Sequence, residues 1–162
     1  MRATKTWASS VLGLLFFTPM AALAGTNAGV EETVRTYFAE TPVMAAIAKC
    51  ESEFHQFNSD GSVLHGGYKR SMIGIFQIAP LHLPDARAHG LDVNTVAGNI
   101  AFAKLLYDRD GTRPWLDSSH CWEKEMIAAA RDKSAKLAML QKQVAQLTVV
   151  LNALIAARES ET

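Results

Sequence analysis

The sequence predicts a mainly α-helical domain with at most a small hairpin, followed by a long C-terminal helix. Apolar residues recur at three- and four-residue spacing before residue 54 and again after residue 94, which is the period of a helix buried on one side. Turn-forming residues are concentrated in between, whereas residues 123–157 contain neither proline nor glycine. We therefore expect a leader at 1–24, a folded domain at 26–122 and a long helix at 123–162.

The leader has the composition of a secretory signal peptide. Arg2 and Lys5 provide the positive start, an apolar stretch follows over 11–17, and Ala22 and Ala24 give the small-residue pattern for cleavage. An uncleaved membrane anchor is the alternative, but the apolar stretch is shorter than the roughly 20 residues that span a bilayer. The sequence thus predicts a protein that is periplasmic or secreted.

The charge balance excludes a typical nucleic-acid-binding protein. The 162 residues include 16 basic and 16 acidic ones, and the leader carries two of the basic residues and no acid, so the remaining chain has a small net negative charge. Nucleic-acid binders usually carry a basic excess or stripe. The five histidines show no metal-ligand spacing, so we expect neither a metal nor a cofactor.

Residues 26–54 are expected to form helix up to the first chemically informative residue. Val30 and Val34 begin the helical period, which restarts with Thr41 as N-cap and Pro42 as first helical residue. The restarted period places Glu51 near the C-terminal end of its helix, beside the buried edge. We therefore expect Glu51 to face a groove.

Loop and short helices are predicted between residues 55 and 111. The expected elements are a hairpin strand at Ser62–His65, a compact apolar segment at Ile73–Ile78, a short helix at Leu83–His89, and a longer helix capped by Asn94 and closed by Gly111.

A heptad-like apolar stripe marks the long C-terminal helix. The stripe consists of Leu137, Leu140, Val144, Leu147, Leu151 and Leu154. This spacing is typical of a coiled-coil seam, but it covers only two and a half heptads. Two interpretations remain open: self-association or binding of a partner helix through residues 126–157, or a helix folded back on the preceding domain.

The chain has two cysteines, Cys50 and Cys121. In an exported protein an even pair more often forms a disulfide than two free thiols, and no further Cys or His cluster supports a metal site. A bridge closing a loop of about 70 residues would contribute on the order of 4 kcal/mol to stability.

Three separated motifs occur in a fixed order: Cys50-Glu51-Ser52, then the segment Gly74 to Ile78, then a helix containing Asn99. Together with Tyr107, Trp115 and a final Cys121-Trp122, they resemble the lytic transglycosylases (SLT-like) of the lysozyme-like superfamily, and small exported proteins of that group with a Cys-Glu-Ser motif. The resemblance covers about residues 42–122. It implies a lysozyme-like α+β domain, a Cys50–Cys121 disulfide, and cleavage of the β-1,4 glycosidic bonds of peptidoglycan.

The resemblance implies Glu51 as the catalytic acid. A carboxyl donates a proton near neutral pH only if burial raises its pKa, so an apolar wall is required. The expected wall and substrate-binding residues are Ser52, Ile75, Phe76, Gln77, Asn99, Tyr107 and Trp115.

Two departures from the family pattern affect the mechanism. Met72 occupies a position where close relatives carry an acid, which favours a mechanism with a single carboxyl over hydrolysis by two carboxylates. Asp60 remains a candidate second carboxylate, so muramidase hydrolysis stays an alternative. Glu53 is either a like charge that raises the pKa of Glu51 or a solvated residue at the helix end, and we favour the latter.

A third interpretation is a non-catalytic wall-associated scaffolding protein that oligomerises through its long helix. For the enzyme, the family analogy suggests a role in opening the wall for a secretion or conjugation apparatus.

Overall fold

The computed structural model describes residues 26–160, so the predicted signal peptide lies outside the described part. The helices are α1 (Val30–Tyr37), α2 (Pro42–Ser52), α3 (Leu83–Ala88), α4 (Val96–Asp110) and α5 (Ser119–Glu159). Strands β1 (His65–Gly66) and β2 (Met72–Ile73) pair antiparallel, and short 3₁₀ turns lie at Tyr68–Arg70, Pro80–His82 and Arg113–Ser118. The predicted fold class, mainly α with a small hairpin and a long C-terminal helix, is confirmed.

Helix α2 begins and ends where local chemistry requires it. Thr41 is the N-cap and Pro42 the first helical residue, as predicted, although the Thr41 side chain makes no capping hydrogen bond. Pro42 is tolerated there because the first N–H groups of a helix have no partner within the helix. The helix ends at Ser52, because Glu53 and Phe54 both have the left-handed backbone conformation, with φ of 53° and 63°.

The hairpin and the start of α4 differ from prediction by a few residues. The expected strand Ser62–His65 is displaced: β1 is His65–Gly66, and Val63 makes only an isolated bridge with Phe57. The N-cap of α4 is Thr95 rather than Asn94. The Thr95 hydroxyl accepts a hydrogen bond from the N–H of Gly98 at 3.0 Å, the geometry of a capping side chain.

The apolar segment Gly74–Ile78 is the hub of the domain. Phe76 is fully buried and contacts the rings of Phe38, which directly follows α1, and Trp115 in the third 3₁₀ turn, with centroid distances of 5.5 Å and 6.0 Å. Its N–H donates to Oδ1 of Asn99 at 3.0 Å, and its carbonyl accepts from Nε1 of Trp115 at 2.9 Å. Elements that are distant in sequence therefore converge on one backbone segment, which orders their side chains relative to each other.

Gly74 allows two buried polar side chains to pack against the hub. Its φ is +67°, and a Cβ there would lie 2.3 Å from Oε1 of Gln56 and 2.6 Å from Nδ2 of Asn99. Both side chains are fully buried and hydrogen-bonded, so the contact requires a glycine.

Helix α5 begins at Ser119, four residues before the predicted boundary, so Cys121 and Trp122 belong to it. Its first turns pack against α2. Every side chain from Ile127 to Ser160 is exposed. The alternative of a helix folded back on the domain is therefore wrong, because α5 passes α2 and continues outward.

Candidate active site

Glu51 lies in the last turn of α2, and covalent and ionic links fix this turn to α5. The preceding residue, Cys50, forms the predicted disulfide with Cys121, with an S–S distance of 2.06 Å and a Cα–Cα distance of 6.0 Å. Lys49 donates to Glu125 at 2.6 Å. The disulfide limits how far the segment just before Cys121 can move from Glu51.

Glu51 faces a cleft of about 410 Å³ between the hairpin and the third 3₁₀ turn. Its walls are mostly apolar on the hairpin side and mixed on the other. The lining residues are Glu51, Gly67, Tyr68, Met72, Gln77, Ile78, Ala79, His82, Leu106, Pro114, Trp115 and Asp117. The prediction that this glutamate faces a groove agrees with the geometry.

The environment of Glu51 favours the protonated carboxyl. Partial burial raises its pKa above the ordinary value, the hydrogen bond from Ser118 lowers it, and the negative charge of Asp117 raises it. Burial is the largest of these effects. Since an acid catalyst must hold its proton near neutral pH, the direction of this shift is the one that proton donation requires.

Two of the predicted substrate-binding residues line the cleft. Gln77 is half-buried, and its Nε2 donates to the carbonyl of Gly74 at 2.8 Å, which holds the side chain against the backbone of the Gly74–Ile78 segment. Trp115 is 4% exposed and forms part of the apolar wall. Met72 also lines the cleft.

The other predicted substrate-binding residues lie outside the cleft lining. Ile75, Phe76 and Asn99 are fully buried, which corrects the expectation that they contact sugar. The hydroxyl of Ser52 donates to the carbonyl of Ile75 at 2.7 Å and so ties α2 to the hub. Tyr107 is half-buried and packs against the core. These residues position the cleft rather than line it.

The two acids weighed beside Glu51 also lie elsewhere. Asp60 is exposed in a turn, where its carboxylate accepts hydrogen bonds from the hydroxyl and N–H of Ser62 at 2.6 Å and 2.9 Å. These bonds lower the pKa of Asp60. Asp60 does not line the cleft, so its candidacy as second carboxylate was wrong. Glu53 is exposed at the helix end, in agreement with the favoured interpretation.

Sequence reasoning missed two residues that act directly on Glu51, Asp117 and Ser118. Asp117 lines the cleft, and the hydroxyl of Ser118 donates to Oε1 of Glu51 at 2.6 Å. A signal was present, because a Cys50–Cys121 bridge implies that the residues shortly before Cys121 lie near Glu51.

His82 also lines the cleft. Burial and the nearby charge of Arg109 lower the pKa of His82, whereas Asp85 and Asp110 raise it by less. The net effect favours the neutral imidazole, which can offer one hydrogen-bond donor and one acceptor to a ligand.

No family model, curated protein or solved structure matches this chain. None of the helices within residues 26–160 is long and apolar enough to cross a membrane. Over the same range, no three His, Cys, Asp or Glu side chains are grouped so that they could hold a metal ion.

Proposed function

We propose that this protein is a lytic transglycosylase that cleaves the β-1,4 bond between N-acetylmuramoyl and N-acetylglucosaminyl residues of peptidoglycan. The single observation that carries the proposal is the half-buried carboxyl of Glu51 in a cleft, with its pKa raised mainly by burial. The disulfide fits an oxidising compartment, and we assign the activity to the periplasm or the cell exterior.

In the proposed reaction Glu51 acts twice. Its carboxyl first gives its proton to the glycosidic oxygen, and the bond from that oxygen to the anomeric carbon breaks. The substrate's own acetamido group stabilises the electron-poor carbon. The resulting carboxylate then takes the proton of the muramoyl 6-hydroxyl, whose oxygen bonds to the anomeric carbon and closes an anhydro ring. Glu51 is protonated again, so no second carboxylate is required.

Ser118 is suited to both protonation states of Glu51. Its hydroxyl oxygen lies 2.6 Å from Oε1 of Glu51 and 3.1 Å from the carbonyl oxygen of Trp115, so it can donate to Glu51 when the carboxyl is ionised. When Glu51 is protonated, the carboxyl can donate to Ser118 while the hydroxyl donates to Trp115. One side chain thus accommodates the carboxyl before and after proton transfer.

The nature of the cleft wall supports a mechanism with one acid. Met72 lines the cleft at the position where the proteins that the motifs resemble carry an acid, and its thioether can neither donate nor accept a proton at working pH. Apolar neighbours such as Met72, Ile78 and Trp115 also keep Glu51 partly dry, which is the cause of its raised pKa.

Muramidase hydrolysis is the second candidate, and Asp117 is the observation that favours it. Its carboxylate lines the same cleft as Glu51 and acts on it electrostatically. Hydrolases of this type use a second carboxylate to activate water or form a covalent intermediate. Asp117 replaces Asp60 as the residue for that role.

The products of wall digestion separate the two candidates. Purified peptidoglycan is digested with the protein and the muropeptides are identified by mass spectrometry. Anhydromuramoyl ends are expected from the transglycosylase. Reducing ends would identify the hydrolase instead, and release of no muropeptides by a folded protein would contradict both.

A further inference from the structure

One continuous face of α5 first packs inside the domain and then continues outside it. Trp122 is buried and its indole N–H donates to the carbonyl of Trp115, while Met126 and Ala129 line the groove that α5 forms with the α1–α2 segment. After Lys133 the same side of the helix carries an apolar stripe of Leu137, Leu140, Val144, Leu147, Leu151 and Leu154, which we call the seam. Residues spaced alternately by three and four positions share a face, so the seam extends the face that α2 covers.

The seam has no covering element among residues 26–160. Leu147 is 69% exposed and Val144 and Leu154 are each 63% exposed. From Lys133 to Glu159 the helix is about 40 Å long, and the seam occupies about 27 Å of it. A contiguous apolar stripe of that length on a soluble helix marks an interaction surface.

The residues flanking the seam restrict the kind of partner. In heptad terms they are the e and g positions, where charges usually select a partner. Here they are Lys136, Gln141, Gln143, Thr148, Val150, Ile155 and Ala157, of which Lys136 alone is charged. One charge at the edge of the seam is too little to select an acidic or basic foreign helix. The matching surface is another apolar seam with almost uncharged flanks, which a second copy of this chain carries.

The spacing of the seam fits an antiparallel pair. Two antiparallel copies of α5 can be related by a twofold axis that passes between Ala145 and Gln146. Every seam residue then meets an apolar residue of the other copy. The resulting contacts are Leu137 with Leu154, Leu140 with Leu151, and Val144 with Leu147, each repeated by symmetry. The same overlap brings Ala157 of the copy level with Ser134.

The position of the domain excludes the parallel arrangement. Because α1 and α2 lie on the seam side of α5, two parallel helices would place both domains at the same level in the space between the helices. A domain of about 100 residues has a radius of gyration of about 13 Å, whereas packed helix axes are 8–10 Å apart. The antiparallel arrangement places the domains at opposite ends.

We infer that the protein forms an antiparallel dimer through the seam, with one cleft at each end. The last turn of each helix would reach the groove of about 570 Å³ between α5 and the α1–α2 junction of the other copy. Ala39, Pro42, Ala129 and Ala130 contribute small apolar side chains to that groove, and Asp132 and Lys133 are among the charged residues that line the rest. Such a mixed lining can receive a helix end that carries two alanines followed by Arg158.

Sedimentation equilibrium of the full-length protein tests the dimer. A mass of two chains is expected, and a monomer at all concentrations would overturn the inference. Leu147→Asp places a charge in the seam and should weaken dimerisation at least about 100-fold. Val149→Asp is the matched control, because Val149 is also 69% exposed but lies off the seam. Equal weakening by both variants would contradict the seam.

Spin labels test the orientation. A label on Ala157→Cys, which flanks the seam, with the native disulfide intact, should give a distance of about 35 Å between copies in the antiparallel dimer. A distance under about 20 Å would indicate parallel helices and overturn the assignment. Glu51→Gln should dimerise like the unchanged protein, so failure of the enzyme proposal and failure of the dimer proposal are separate results.

Discussion

The hydroxyl of Ser118 donates a 2.6 Å hydrogen bond to Oε1 of Glu51, across 67 positions of sequence. Two separate constraints bring these residues together. The disulfide joins α2 to α5 beside them, and Trp115, three residues before Ser118, is tied to the hub through its indole N–H. The carboxyl is therefore positioned by the fold as a whole rather than by its own helix alone.

Ser118→Ala should alter the pH dependence of wall digestion. The lost hydrogen bond had lowered the pKa of Glu51, so the pKa rises and the high-pH limb of the kcat/KM profile moves to higher pH. The maximum should fall about tenfold, because the carboxyl loses its orienting donor. Ser119→Ala, at the next hydroxyl in the chain, is the control. An unchanged profile for Ser118→Ala would contradict the positioning role.

Asp117→Asn should move the high-pH limb of the kcat/KM profile to lower pH. Removal of this negative charge lowers the pKa of Glu51, so activity is lost at lower pH. In a transglycosylase the maximum rate should stay within about tenfold of the original. A loss of about 100-fold or more at every pH would instead indicate a second catalytic carboxylate and favour hydrolysis. Asp60→Asn, in an exposed turn outside the cleft, should change neither the position of the high-pH limb nor the maximum rate.

Glu51→Gln should stabilise the fold increasingly as pH rises. The folded-state pKa of Glu51 is raised above the unfolded value, so its protonated form contributes stability below the unfolded pKa, and this contribution is lost as pH rises through the folded pKa. Glutamine does not ionise and can still accept the Ser118 hydrogen bond. The free energy of unfolding, measured in urea at a series of pH values, should therefore be higher for the variant than for the unchanged protein, by an amount that grows with pH. A difference that shrinks with rising pH would show that the carboxyl is not destabilised by burial.

Asn99→Leu should reduce stability without removing a cleft residue. Asn99 is fully buried, donates to the carbonyls of Ile73 and Val93, and accepts from the N–H of Phe76. Leaving these groups without partners should lower the free energy of unfolding by about 3 kcal/mol, measured in urea. Asn94→Leu, at an exposed turn, should cost less than about 1 kcal/mol. An equal loss of stability in the two variants would contradict the role of Asn99 in holding the Gly74–Ile78 segment.

Local patterns predicted most of the helices. Pro42 after Thr41 located the start of α2, and Gly90 and Gly111 fell where α3 and α4 end, because these residues act through their own backbone preferences. Asn94 was predicted as the cap of α4, one residue before the actual cap, Thr95. The Asn94 side chain is instead held in the preceding turn, where its Nδ2 donates to Oδ1 of Asp92 at 2.8 Å.

The site was predicted less well than the fold, for a physical reason. Sequence motifs identify residues that a site requires, but they do not separate side chains that line a cleft from those that support it. Phe76 and Asn99 belong to the motifs and are buried, whereas Asp117 lies outside them and lines the cleft. Only the three-dimensional path of the chain between Trp115 and Cys121 distinguishes the two cases.

The most direct test compares Glu51→Gln with Glu53→Gln in the digestion of purified peptidoglycan. The two glutamates are two positions apart, but only Glu51 faces the cleft. Loss of a general acid costs about 10²–10⁴-fold in rate, so Glu51→Gln should release muropeptides at least about 100 times more slowly, while Glu53→Gln should keep nearly the full rate. Digestion by Glu51→Gln at the unchanged rate, or equal losses in both variants, would contradict the assignment of Glu51 as the catalytic acid.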